Sequence, residues 1–180
     1  MEIRHFRFHV GLPREVRLLH TTDNHLCLAD ERDGARKITL AKNRAEAFGA
    51  SADVLCERFR ASVAYAKANR LLYLSMGDIL DFVSLANLEF ARQTLEGCDY
   101  LMAAHEDKIA CYHAHRYRQQ KADAATLAFV DFAAHDPSVC GVIAGHCHQP
   151  FADTLSWYRE VPMLVSGAGC NGCATEIIVD

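Results

Sequence analysis

Five short apolar runs in this chain each end in aspartate or histidine, and that repetition limits what the chain can fold into. Val16 to His20 runs into Thr21-Thr22-Asp23-Asn24-His25, and Arg70 to Met76 stops at Gly77-Asp78-Ile79-Leu80-Asp81. Asp99 to Ala104 meets His105-Glu106-Asp107, and the very short Ile109 to Tyr112 ends at His113-Ala114-His115. Val139 to Ala144 feeds Gly145-His146-Cys147-His148. Short apolar runs bounded by turn residues read as buried strands. Ile3 to Val10, Pro162 to Ser166 and Ala174 to Val179 read as further strands, the last two flanking Gly167-Ala168-Gly169.

Helical periodicity fills the gaps between these runs. From Ala52 to Asn69, Leu55, Phe59, Val63 and Ala66 recur every three or four residues, with Glu57, Arg58, Arg60 and Lys67 off the stripe. A second helix places Leu85, Leu88, Ala91 and Leu95 on one face and stops at Gly97. A third covers 119–134, with Leu127, Val130 and Ala134 aligned. Residues 29–50 are charged, contain Gly34 and Gly49, and read as loop with some helix. Strands alternating with helices argue for an α/β layered fold. In such sheets functional groups gather at the carboxyl ends of the strands.

The residue types at those ends suit a metal centre. His146 and His148 are two apart, so on extended backbone both rings point the same way. Imidazole binds a cation at neutral pH without first losing a proton. Singly, each element has an ordinary explanation: Asp78 or Asp81 could cap a helix, and His105 and His113 could be surface residues. All of them at one edge of one sheet point to metal ligation instead.

Composition narrows the class further. At 180 residues the chain is long enough for one domain with its own core. Its net charge of −4 disfavours general nucleic-acid or anionic-membrane binding. No segment approaches the roughly 20 apolar residues of a membrane span, and Met1-Glu2-Ile3-Arg4-His5 lacks the apolar run of a signal peptide. A cytoplasmic location is the default expectation. The eight cysteines then read as reduced thiols, with Cys111 and Cys140 in apolar, buried settings. Cys170-Asn171-Gly172-Cys173 lacks the two further ligands of a structural zinc site and reads as a glycine-rich turn.

The ordered motifs Asp23-Asn24-His25, Gly77-Asp78-Ile79-Leu80-Asp81, His105-Glu106, His113 and Gly145-His146-Cys147-His148 resemble the calcineurin-like metallophosphoesterase superfamily, whose signature runs DxH, GDxxD/N, GNHD/E, a strand-end His and GHxH. The resemblance covers almost the whole chain and implies a single domain over residues 1–180, a layered β-sheet core flanked by helices. It implies a dinuclear hydrolase acting on a phosphomonoester or phosphodiester through a metal-activated hydroxide. Asp23, His25 and His148 would hold one divalent ion, Asp78 would bridge, His113 and His146 would hold the second, and His105 would help protonate the leaving group. His115 stands beside His113 as the alternative ligand. Asp81 would orient a ligand rather than bind metal. Carboxylates and imidazoles suit Mn, Fe or Zn.

The chain departs from the family in its middle. The GNH motif reads Ala103-Ala104-His105, so alanine replaces the asparagine that would serve the second ion. Only seven residues separate His105 from His113, too few for the strands the family inserts there. The second metal site is therefore expected to be weak, and a catalytically weak or inactive metal-binding scaffold is the alternative to a phosphoesterase. The implied partner is a phosphorylated substrate, and oligomeric state is not legible.

Overall fold

Alternation along one strand sets the layers of this molecule. In the computed structural model, which describes residues 1–103, 128, 131–132, 135–145, 148–155 and 161–180, the chain is mixed α/β. Strands β1 (Glu2–Phe8) and β2 (Val16–Thr21) precede helices α1 (Ala35–Ala47) and α2 (Ala52–Asn69). Strand β3 (Leu72–Met76), helix α3 (Leu85–Leu95) and strand β4 (Tyr100–Ala103) follow. Later come β5 (Val142–Ala144), β6 (Phe151–Leu155), β7 (Val161–Val165) and β8 (Cys173–Val179). A mixed five-stranded sheet has the order β1-β8-β2-β3-β4, and a separate three-stranded sheet has the order β5-β7-β6.

Side chains along a strand alternate between faces. On β2, Leu19 packs with Phe59, Val63 and Ala66 of α2, with Tyr73 of β3 and with Leu95 of α3. Leu18, one residue earlier, packs on the other side with Phe8, Ile177, Ile143 and Leu164, the last two from the smaller sheet. The large sheet is thus covered by helices on one face and by the small sheet on the other. β2 and β3 run parallel, pairing Leu18 with Leu72 and Leu19 with Tyr73, so both strands deliver their carboxyl ends to the same edge.

Helix α2 has the bounds its periodicity predicts. Ser51 caps it by accepting a hydrogen bond from the Val54 amide, and Asp53 lies in the first turn, where a negative charge suits the helix dipole. Leu55, Phe59, Val63 and Ala66 are all buried to within 1% exposure, so the whole stripe is core. Each large apolar side chain buried this way contributes roughly 1.5–3 kcal/mol.

Four expectations need correction. Residues 29–50, expected as loop with some helix, are largely helical, with a regular 13-residue helix, α1. It escaped the periodicity test because only Ala41 and Ala45 are buried on it, which leaves no apolar stripe. On α3, Leu85 and Leu88 are 48% and 47% exposed, while Asn87 is fully buried. Asn87 Oδ1 accepts from the Leu28 amide at 2.7 Å and Nδ2 donates to the Phe82 carbonyl at 2.9 Å, so it satisfies two backbone groups that a leucine there would leave unpaired. Cys140 is exposed rather than buried. Finally, β5 belongs to the second sheet, so the strand ends do not share one sheet edge.

The other strands lie near their expected places, and β6 is an additional one. The expected strand Ile109 to Tyr112, most of the helix over 119–134, and Cys111 lie outside the described residues. Among the described residues no helix is long and apolar enough to cross a membrane.

The buried face of α3 can be checked by substitution. Asn87→Ala strips partners from the Leu28 amide and the Phe82 carbonyl and should cost about 1–3 kcal/mol in urea unfolding. Leu88→Ala, on the exposed side, should stay within about 0.5 kcal/mol. The reverse order would show that the apolar stripe, not the amide, faces the core.

Candidate metal centre

Two loops leaving parallel strands are zipped together by their main chains. After β2, the Asp23 amide donates to Gly77 O at 3.3 Å, the His25 amide to Asp78 O at 2.8 Å and the Leu26 amide to Ile79 O at 2.8 Å. The Asp81 amide donates back to Leu26 O at 3.1 Å. Asp23-Asn24-His25 and Gly77-Asp78-Ile79-Leu80-Asp81 are therefore one structural unit.

The backbone of that unit is unusual. Among the described residues, five non-glycine residues have left-handed φ: Asp23 (53°), His25 (50°), Arg70 (53°), Asp78 (44°) and His148 (55°). Arg70 simply caps the end of α2. The other four are all expected ligands. Such residues cost of order 1–3 kcal/mol each and persist where surrounding structure holds them, which is typical of functional sites.

What holds them is close packing against glycines. A Cβ on Gly145 would fall 2.1 Å from Thr22 Oγ1, and one on Gly169 would fall 2.2 Å from Asn24 Oδ1. Without side chains, β5 and the turn after Ala168 press directly onto the loop. The Gly169 amide donates to Thr22 O at 2.7 Å and the Cys170 amide to Asp23 O at 3.0 Å. Cys170 is buried in this turn and Cys173 opens β8, so the CxxC pair has a structural place.

The side chains converge. Ligand atoms of Asp23, His25 and His148 all lie within 4.8 Å of one another. His148 Nε2 is 3.5 Å from Asp23 Oδ1, and His25 Nε2 is 3.8 Å from the same oxygen. Asp78 Oδ2 lies 4.0 Å from His25 Nε2, at the margin of the group. Thr22 Oγ1 donates to Asp23 Oδ2 at 2.6 Å, which fixes the carboxylate's other oxygen. Exposure rises from Asp23 (3%) and His25 (10%) to Asp78 (22%) and His148 (33%), so the group opens to solvent on the Asp78–His148 side.

Electrostatics favour a cation here. The Asp23 carboxylate, through its contact with the His148 ring, raises the His148 pKa, and this outweighs burial. Asp81 lies behind His25, its Oδ1 3.2 Å from Nδ1 but off the line of a good hydrogen bond, which leaves that buried nitrogen poorly satisfied. Burial alone would raise the Asp81 carboxyl; Arg44 and then His25 outweigh it and bring the pKa down to about 2. Two imidazoles and a carboxylate, with a second carboxylate alongside, are a donor set that fits Mn, Fe or Zn.

The expected residues divide cleanly. Asp23, His25 and His148 come together, with Asp78 and Asp81 beside them. His105, His113, its alternative His115, and His146 lie outside the described residues. Thr22, Arg44 and Phe48 support the site without having been singled out from the sequence. Compared with models of known protein families and with curated proteins, the chain matches none.

A further histidine near the site has a different role. His20, at the end of β2, is fully buried with Nδ1 2.5 Å from Ser166 Oγ and no hydrogen-bond partner for Nε2. Burial, only partly opposed by Asp23, lowers its pKa from 6.5 to about 4. The folded state therefore refuses a proton that the unfolded chain accepts below pH 6.5. Stability from this group is present above about pH 6.5 and is lost as pH falls towards 4, by roughly 3 kcal/mol in all. Unfolding by urea in EDTA should show that loss in the parent and a shallower slope in His20→Gln. Identical slopes would mean that His20 does not carry the effect.

Proposed function

We propose that this chain is a metal-dependent phosphoesterase of the calcineurin-like metallophosphoesterase type. The observation that carries the reading is the convergence of Asp23, His25 and His148, with Asp78 alongside, from loops after β2, β3 and β5. These are the first, second and last motifs of the resemblance, and they occur in its order. Four left-handed backbones at those same positions support it independently.

On this reading Asp23, His25 and His148 would hold one divalent ion, and Asp78, with His113 and His146, would serve a second. Bound ions of this kind polarise a phosphoryl oxygen and make hydroxide available near neutral pH. The chain's own residues do the rest. Thr22 holds one Asp23 oxygen so that the other faces His25 and His148. A phosphomonoester or phosphodiester approaches from the open Asp78–His148 side, and His105 donates a proton to the departing oxygen. The substrate is the implied partner.

A second reading, a metal-binding scaffold with little or no activity, is favoured by Ala104 in place of the family's asparagine. It keeps the Asp23-His25-His148 site and gives up the second ion. The two readings separate on occupancy and turnover.

Elemental analysis of purified protein, paired with hydrolysis of an aryl phosphate and the corresponding diester, tests both. Asp23→Gly and His148→Gly are the right variants, because glycine tolerates left-handed backbone and leaves no side-chain donor atom. Each should lose bound metal while staying folded. Full stoichiometry in both variants would refute the site. Metal without hydrolysis of either substrate, even with added Mn, would favour the scaffold. A rise in occupancy and turnover in Ala104→Asn would return the case to the enzyme.

A further inference from the structure

Helix α1 looks peripheral by ordinary measures. It buries only two alanines, and Ile38 and Leu40 on it are 43% and 39% exposed. Yet its last turn and cap reach directly into the site. Arg44 donates from Nε to Asp81 Oδ2 at 2.6 Å and from Nη2 to Oδ1 at 2.7 Å, a two-pronged grip on a carboxylate that is only 4% exposed. Phe48, at the cap, stacks on the His25 ring with centroids 4.2 Å apart and planes 17° apart, and its centroid is 6.5 Å from that of His148. Arg44 in turn lies over the Phe48 ring at 5.2 Å.

We propose that α1 is the positioning element of the metal centre: Arg44, through Asp81, and Phe48, through its stack, hold the His25 imidazole with Nε2 aimed at Asp23 and Asp78. The proposal rests on the metal reading above. Its physical basis is that His25 would otherwise be free to turn about its side-chain bonds, at a residue whose backbone is already strained. Asp81 Oδ1 lies 3.2 Å from Nδ1, the nitrogen away from the ligand group, so its negative charge favours the ring proton there and leaves Nε2 for the ion. A bidentate guanidinium fixes the plane of that carboxylate in a way an ammonium cannot. The stack blocks ring rotation from the side. Arg44 and Phe48 touch neither the proposed ion nor the substrate, so they are positioning residues.

Coupling of this kind runs both ways. If α1 orders His25 for the ion, then the ion must order α1. An element with so few buried apolar contacts should open readily without metal and less readily with it. The effect should be confined to α1, because α2 is anchored by its own apolar stripe.

The test uses the full chain stripped with EDTA and titrated with MnCl2 by calorimetry, together with hydrogen exchange. Outer-shell changes of this type typically cost 10–100-fold in affinity. Arg44→Gln should weaken Mn binding by that factor, Arg44→Lys should recover part of it, and Phe48→Leu, which keeps a side chain in place but removes the stack, should also weaken it. In the parent, amides of α1 should exchange more slowly once Mn is bound while those of α2 do not change; in Arg44→Gln the α1 response should disappear. If Arg44→Gln does not fold, Phe48→Leu carries the same comparison. Parent-like Mn affinity in the folded variants, with parent-like slowing of α1, overturns the positioning role and leaves the metal reading intact. No Mn binding by the parent overturns both.

Discussion

The main-chain grip on the loop from Thr22 to Leu26 is the constraint on which the rest of the site depends. One side of the loop is bonded to Gly77, Asp78 and Ile79, and the other to Gly169 and Cys170. The loop has little room to adjust, because Gly145 and Gly169 sit where a methyl group would collide with Thr22 or Asn24. Left-handed backbone at Asp23 and His25 follows from being held on both sides. A loop restrained by hydrogen bonds to two neighbouring loops can carry strain that a free loop would relax. The side chains are thus aimed before any ligand arrives.

Charge is arranged around that loop with comparable economy. Asp23, Asp78 and Asp81 bring three carboxylates into a half-enclosed space, and Arg44 grips the Asp81 carboxylate with its guanidinium. Asp23 instead faces two imidazoles, whose charge is optional at neutral pH. Away from the site, Glu176 is buried on the helix side of the large sheet, where Arg17 and the Tyr65 hydroxyl hold its oxygens. The contrast is instructive: Glu176 is held by a guanidinium, while Asp23 faces imidazoles that can yield to a cation.

How much of this could be read beforehand depended on whether the relevant information was local. Helix α2 was legible to the residue, because its cap and apolar stripe lie within one continuous segment. The meeting of Asp23, His25 and His148 was legible because each motif follows an apolar strand, and a strand end is a place where side chains gather. Helix α1 was not, since its packing rests on Arg44 and Phe48 reaching residues far away in the sequence and not on an apolar face. The buried face of α3 is not legible for a related reason: a spacing of three or four cannot reveal that Asn87 is buried to bond the Leu28 amide, far away in the sequence, and the Phe82 carbonyl just before the helix. Membership of β5 in a second sheet is likewise a matter of pairing with β7, which no single segment encodes.

The left-handed ligands also bear on how such a centre changes over evolutionary time. Backbone of that kind is readily accepted by Gly and, among other residues, most often by Asn, Asp and His, a set that overlaps closely with the good metal donors. At Asp23, His25, Asp78 and His148 the chain's geometry and its chemistry therefore select nearly the same letters of the alphabet. A lineage that gave up the ion would still be steered by backbone alone towards Asp, Asn, His or Gly at these four places. Drift would surface sooner at Asp81 and Arg44, whose backbones are ordinary and whose identities are held only by what they do for His25.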